Sequence, residues 1–145
     1  MRRCQQGLSL IEVIFSLGIM AIIFAVVADY YYSQNKRYLE VSKAVTQIQQ
    51  LASVSYEWQA AQSQTDFNGI SLSVLQQAGL LAAIDSYSQI DPWGGTMSLA
   101  ADEDPRYVLI TLPKIPADVC SNLYNRMSTL AHHQECSAGN YSIAM

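Results

Sequence analysis

Residues 8–28 read LSLIEVIFSLGIMAIIFAVVA, an apolar run whose few interruptions are Ser9, Glu12, Ser16 and Gly18. An α-helix rises 1.5 Å per residue, so a helix over this run is about 31 Å long, which matches the hydrocarbon core of a bilayer. Glu12 is the one charged residue in the run. We therefore predict that residues 8–28 form a helix that crosses a membrane.

Residues 1–7, MRRCQQG, precede the run and are polar and basic. Because Arg2 and Arg3 stand before the apolar helix, the positive-inside rule keeps this end in the cytoplasm and sends the rest of the chain outward. An ordinary secretory signal has a shorter apolar stretch that ends in a small-residue cleavage site, whereas this run continues into helix-compatible sequence. The chain is thus predicted to cross the membrane once, with its N-terminus in the cytoplasm.

The helix is expected to continue beyond the membrane. No glycine lies between Gly18 and Gly69 and no proline precedes Pro92, so helix-breaking residues are absent over a long stretch. Apolar residues recur there at the spacing of one helix face, at Leu39/Val41, Val45, Ile48, Leu51/Ala52 and Trp58. We predict one helix of about 50 residues, apolar all round over residues 8–28 and amphipathic over residues 29–62.

Residues 63–145 are predicted to form a small head that covers the amphipathic half of the helix. The expected elements are a polar loop at 62–69, a short helix at 72–81, a turn at 91–95, strands at 96–99 and 107–112, a helix after Pro116 and a last strand at 140–144. The predicted fold class is therefore α+β: a long N-terminal helix packed on a small antiparallel sheet, with one or two short helices.

The cysteine count links the head to the N-terminus. The chain has three cysteines, Cys4, Cys120 and Cys136, and an odd number is awkward for a disulfide-bonded protein. If the polar leader, residues 1–7, were cut off after Gly7, two cysteines would remain, so such a cut and a Cys120–Cys136 bridge support each other. The bridge implies an oxidising compartment. Two unrelated free thiols are the alternative interpretation.

Glu12 is the residue that points most directly to a function. A carboxylate within a membrane span is costly and is as a rule functional, although one near the interface can also snorkel without any role. Cleavage after Gly7 would create a positive α-amine at Leu8, one helical turn before Glu12. Between parallel subunits with an axial offset, the Glu12 carboxylate of one copy can meet the Leu8 amine of another, which would neutralise both charges and set the register.

Residues 7–32 resemble the processing site and N-terminal helix of type IV prepilins and of the related pseudopilins of type II secretion. The shared features are a glycine before the cut, an apolar mature N-terminus and a glutamate as its fifth residue. The resemblance implies that a prepilin peptidase cuts after Gly7 and N-methylates Leu8, and that Glu12 recruits and aligns subunits. It also implies a precursor in the bacterial inner membrane, an assembly machinery there, and a homo-oligomeric filament outside the cell.

A second resemblance covers the C-terminal half. The sequences DPWGGT at 91–96 and ITLPKIPADVC at 110–120 are similar to type IVb pilins, the branch of toxin-coregulated, bundle-forming and thin conjugative pili. In that branch a strand leads into a helix that carries the first cysteine of a C-terminal disulfide. The leading prediction is thus a type IV pilus subunit of the IVb kind. The alternatives are a minor pilin, a type II secretion pseudopilin, or an unprocessed, signal-anchored periplasmic binding domain.

Other residues are given a structural interpretation. Tyr30–Tyr32 are expected to form an aromatic belt at the outer membrane interface, with packing residues as the alternative. Trp93 is expected to be half-buried under the sheet, beside two glycines that can adopt positive φ in a turn. The acidic residues 102–104 lack the glycine and distal glutamate of a calcium loop and are predicted to form a solvated turn.

No enzymatic activity, cofactor or metal site is predicted. The sequence contains no nucleophile motif, phosphate-binding glycine loop or paired-carboxylate arrangement. The group His132, His133, Glu135 and Cys136 is discounted as a metal site, because neighbouring residues on a helix point in different directions and no second ligand cluster follows. The formal net charge is −4, and −6 without Arg2 and Arg3, which argues against nucleic acid as a partner.

Overall fold

The computed structural model describes residues 10–81 and 89–145. The chain divides into two compact units, Met1–Arg37 and Tyr38–Met145. The predicted cleavage site, Gly7 and Leu8, lies outside the described residues, as does the rest of the leader.

The predicted long helix is confirmed as α1, Leu10–Ala61. In the first unit its apolar side chains are exposed, and no residue of its most apolar 18-residue window is buried within the chain. By length and composition this helix can cross a membrane, with a mean hydropathy of 2.7 over that window.

In the second unit α1 buries one stripe, formed by Val41, Ala44, Ile48, Leu51, Ala52, Ser55 and Trp58. This stripe confirms most of the predicted positions. Leu39 is instead 57% exposed, Ala44 is an addition, and Val45 is only partly buried against the core. Ser55 is fully buried without cost, since its hydroxyl donates to the carbonyl oxygen of Leu51 at 2.7 Å.

A four-stranded antiparallel sheet faces the helix stripe. Its strands are β1 Ser98–Ala101, β2 Val108–Leu112, β3 His133–Ser137 and β4 Asn140–Ala144, in the order β1-β2-β4-β3. The first strand begins two residues later than predicted, and β3 was not predicted at all. The inward residues of the two central strands, Val108, Ile110, Leu112, Tyr141 and Ile143, are completely buried and join the helix stripe in one core.

Two short helices complete the head. The first, α2, spans Leu72–Gln77 and is shorter than the predicted 72–81; Ser71 caps it by accepting a hydrogen bond from the Val74 N–H at 3.3 Å. The second, α3, spans Ala117–Met127 and follows Pro116 as predicted. Its buried face is formed by Val119, Cys120, Leu123 and Met127, whereas Tyr124 is 45% exposed.

Candidate functional site

The first unit presents apolar side chains around the whole circumference of its helix. Ile11 is 78% exposed, and Phe15 and Phe24 are each 70% exposed. Soluble monomers do not present a continuous apolar surface of this extent to water, so this helix requires lipid or other apolar helices around it. Ser16 is compatible with such surroundings, because its hydroxyl donates to the Val13 carbonyl oxygen at 2.9 Å and is satisfied within the helix.

Glu12 lies in the first turn of the described part of α1, and its side chain is exposed. The N-terminal end of a helix carries a partial positive charge, which favours a carboxylate at this position. The Leu8 α-amine that cleavage would create lies outside the described residues. The pairing of Glu12 with that amine therefore stays a prediction.

Three tyrosines follow the apolar run on the same helix. The side chains of Tyr30, Tyr31 and Tyr32 are 64%, 64% and 72% exposed, and the first two rings meet edge to face at 6.3 Å. Amphipathic rings at the end of an apolar segment are suited to the interface between membrane and water. The aromatic belt remains a prediction that this exposure supports.

The predicted disulfide is present and joins Cys120 of α3 to Cys136 of the edge strand β3. Two hydrogen bonds also join these elements. The side-chain amide of Gln134 in β3 donates to the carbonyl oxygen of Tyr124 in α3 at 3.0 Å, and the hydroxyl of Tyr141 in β4 donates to Gln134 Oε1 at 2.7 Å. Burial of the Tyr141 ring, together with the nearby Tyr124, raises the pKa of Tyr141 well above its usual value. The bridge therefore connects α3 to the sheet through a strand that is otherwise exposed.

The turn at 91–95 is organised around the buried carboxylate of Asp91. Its Oδ1 accepts hydrogen bonds from the N–H groups of Trp93 and Gly95, each at 2.8 Å, and its own N–H donates to the Gly95 carbonyl oxygen at 2.8 Å. Trp93 is half-buried, as predicted. The side-chain amide of Gln47 on α1 donates to the Ile90 carbonyl oxygen at 3.0 Å. The turn therefore has a structural role: it connects the chain before β1 to α1.

Gly95 allows the close approach on which this turn depends. A Cβ atom at this position would lie 2.5 Å from Asp91 Oδ2 and 2.7 Å from the carbonyl oxygen of Pro113, and neither group can move freely. Gly94 differs: its φ is +81°, but an added Cβ would meet nothing within 4 Å.

Gly95→Ala is therefore expected to destabilise the head by about 3 kcal/mol through overpacking. Gly94→Ala is the matched control, with an expected loss of about 1 kcal/mol from left-handed backbone strain alone. Urea unfolding of residues 30–145 measures both values. Equal losses for the two variants would contradict the steric explanation.

The acidic turn between β1 and β2 is exposed and is held by one ion pair. The Arg106 guanidinium hydrogen-bonds to the carboxylate of Asp104 and lowers its pKa to about 2. This arrangement agrees with the predicted solvated turn. Within residues 10–81 and 89–145, no group of three or more His, Cys, Asp or Glu residues is placed to hold a metal ion.

The histidine group does not lie on a helix, so the prediction of its local structure was wrong. His133 begins β3, and the ring of His132 stacks on that of Tyr107 at 3.8 Å. Cys136 is in the disulfide and has no thiol to offer a metal. The absence of a metal stays a prediction on these different grounds.

Comparison with known proteins identifies the N-terminal segment. Residues 2–28 match the family model of the prokaryotic N-terminal methylation motif, a range that includes the predicted cleavage site, Glu12 and the apolar run. A search of curated proteins gave no match. The motif and the apolar helix support a type IV pilin-like or pseudopilin-like protein with a membrane-anchored precursor.

Proposed function

We propose that this chain is a structural subunit of a type IV pilus, most similar to the IVb branch, and has no enzymatic activity. A prepilin peptidase cuts it after Gly7 and N-methylates Leu8, and a machinery in the inner membrane assembles it into an extracellular homo-oligomeric filament. The observation that carries this proposal is the methylation motif at residues 2–28. It lies at the start of a helix whose apolar surface the chain itself leaves uncovered.

Assembly follows from the physical needs of that helix. In the precursor, lipid surrounds the apolar side chains. A subunit that leaves the membrane needs another apolar environment, and parallel copies of the same helix supply it. Glu12 would then lie within the filament core, where the α-amine of a neighbouring Leu8 balances its charge and fixes the axial offset.

The head supports the IVb assignment within this proposal. The strand β2 leads through Pro113 and Pro116 into α3, which carries Cys120 of the disulfide. This is the order of elements that the resemblance to type IVb pilins implies. A pseudopilin or a minor pilin shares the N-terminal motif, and the C-terminal disulfide favours a pilin over a pseudopilin.

The proposal is tested by producing the full chain with a prepilin peptidase and a pilus assembly system. Shear fractions viewed by electron microscopy are expected to contain long fibres composed of the processed chain. Short fibres confined to the periplasm would instead indicate a pseudopilin. A chain that stays unprocessed in the membrane would support the anchored periplasmic domain and exclude the pilus subunit.

Glu12→Leu is expected to be cut and methylated as in the wild type but to yield almost no fibres. The variant keeps the helix and removes the Glu12 carboxylate, which is costly in a membrane span, so membrane insertion should be as efficient as in the wild type. The variant lacks the carboxylate that is proposed to pair with the Leu8 amine of a neighbouring subunit. Immunoblots of membrane and shear fractions measure processing and assembly separately.

The matched control for this variant is Ser16→Leu, which also adds a leucine to α1, one turn further along the helix. It should assemble close to normally, because the Ser16 hydroxyl bonds only within its own helix. Normal fibre yield from Glu12→Leu would contradict the role of the carboxylate in assembly.

A further inference from the structure

The second unit, Tyr38–Met145, has an acidic surface at the end where α1 finishes, near Ala61. The acidic turn is placed there by the Phe67 N–H, which donates to the Pro105 carbonyl oxygen at 2.7 Å, and by the Phe67 ring, which packs edge-on against Tyr56 at 5.2 Å. The acidic residues at this end are Glu57, Asp66, Asp102, Glu103 and Asp104. Arg106 is the cation of the same turn and is bound to Asp104, so this end has a net negative charge.

The start of the α1 segment in the same unit carries an exposed cation, Lys43, with one acidic residue, Glu40, in the preceding turn. A groove of about 280 Å³ lies along this part of the helix, and we name it the Lys43 groove after its exposed cation; it is lined by Leu39, Ser42, Lys43, Thr46 and Gln47. No acidic residue is among those that line it. A second cation, Arg126, lies 4.8 Å over the ring of Tyr38 at this end of the unit.

The two charged surfaces are separated along the helix axis. Lys43 and Tyr56 are thirteen residues apart, which corresponds to a rise of about 20 Å. Within the part of the chain that the structure describes, neither Lys43 nor Glu103 makes an ion pair, and both side chains are exposed. Opposite charges at this separation cannot pair within one copy, but they can pair between two copies that are displaced along the axis.

We propose that the Lys43 groove binds the acidic turn, residues 102–104, of a second copy of this chain. This inference rests on the proposed function, since a filament supplies a parallel neighbour with an axial offset. A contact between two different surfaces of identical copies is head-to-tail, and it propagates as a fibre where its rotation does not close into a ring. Leu39 supplies an apolar floor for the contact, and the charges of Lys43 and Glu103 select the register of the neighbour.

The test uses the full chain in cells that hold the peptidase and the assembly system. Lys43→Glu and Glu103→Lys are each expected to lower the sheared fibre fraction roughly tenfold, because each variant places like charges opposite each other. The double variant, which exchanges the two charges, should recover most of the wild-type yield. Both positions are exposed, so equal amounts of processed subunit in the membrane show that folding is intact.

Matched controls carry the same charge changes at exposed positions elsewhere in the head. Lys114→Glu and Glu135→Lys should leave the fibre yield close to that of the wild type. If the wild type forms fibres and the variants of Lys43 and Glu103 match these controls, the proposed contact is refuted while the pilus function stands. Single losses that the double variant does not restore would also refute direct pairing. No fibres from the wild type would overturn the pilus function and this inference together.

Discussion

We expect a chain in which Gly7 is replaced by leucine to accumulate in the inner membrane as the uncut precursor and to form no fibres. The peptidase that the motif at residues 2–28 implies must bring its catalytic groups close to the backbone at the cut. A glycine before the scissile bond leaves room for that approach, and a branched side chain removes it. Without the cut no α-amine forms at Leu8, so Glu12 also lacks its proposed partner.

Intact-mass measurement of the membrane fraction separates the two forms. The uncut chain retains Arg2 and Arg3 and a formal net charge of −4, whereas the mature chain has −6, so isoelectric focusing also distinguishes them. Gly18→Leu is the matched control, since an added side chain at Gly18 meets nothing within 4 Å and the cut site is unchanged. A mature product of normal mass from Gly7→Leu would exclude cleavage at this site.

The long helix was predictable because its determinants are local. The absence of glycine and proline between residues 19 and 68 and the three-and-four spacing of apolar residues both act within a few turns of the chain. The observed bounds, Leu10–Ala61, lie close to the predicted ones. The exact stripe was less predictable. Leu39 is a larger apolar residue than Val41 or Ala44, but the head covers Val41 and Ala44, because the position of the sheet determines which side of the helix is buried.

The edge strand β3 was missed because its sequence, HQECS, has no apolar alternation. Only Gln134 is even half-buried, so neither face of the strand has a hydrophobic signal. The turn after β3 was the feature that could have indicated this strand. Ala138 and Gly139 both adopt positive φ and connect Ser137 to Asn140, as in a two-residue hairpin loop. A glycine directly before a predicted strand was therefore evidence for a preceding partner strand.

The features of the head that depend on distant residues could not be predicted. The steric role of Gly95 arises because Pro113, eighteen residues later, lies against it. The separation of charge between the two ends of the second unit depends on the hydrogen bond between Phe67 and Pro105. The disulfide pairing was predictable, in contrast, because the predicted removal of residues 1–7 would leave only two cysteines to pair.

Replacing both Cys120 and Cys136 by serine is expected to lower the free energy of unfolding of the head by about 3 kcal/mol. The two cysteines are 16 residues apart, and the bridge removes the freedom of that loop from the unfolded chain. Small domains have a total stability of roughly 5–15 kcal/mol, so the loss is a large fraction of it. For a domain of about 100 residues the melting temperature should fall by roughly 10–20 °C.

Thermal unfolding of residues 30–145 with and without a reducing agent measures this loss. The wild type should melt at a lower temperature in reductant, and the double serine variant, as the control, should not respond to it. Hydrogen exchange should increase most in β3, because this strand is exposed and, apart from the bridge, is held by β4 and by the bond from Gln134 to Tyr124. An unchanged wild-type melting temperature in reductant would contradict a stabilising bridge. A loss confined to β3 would show that the bridge mainly holds this edge strand against α3.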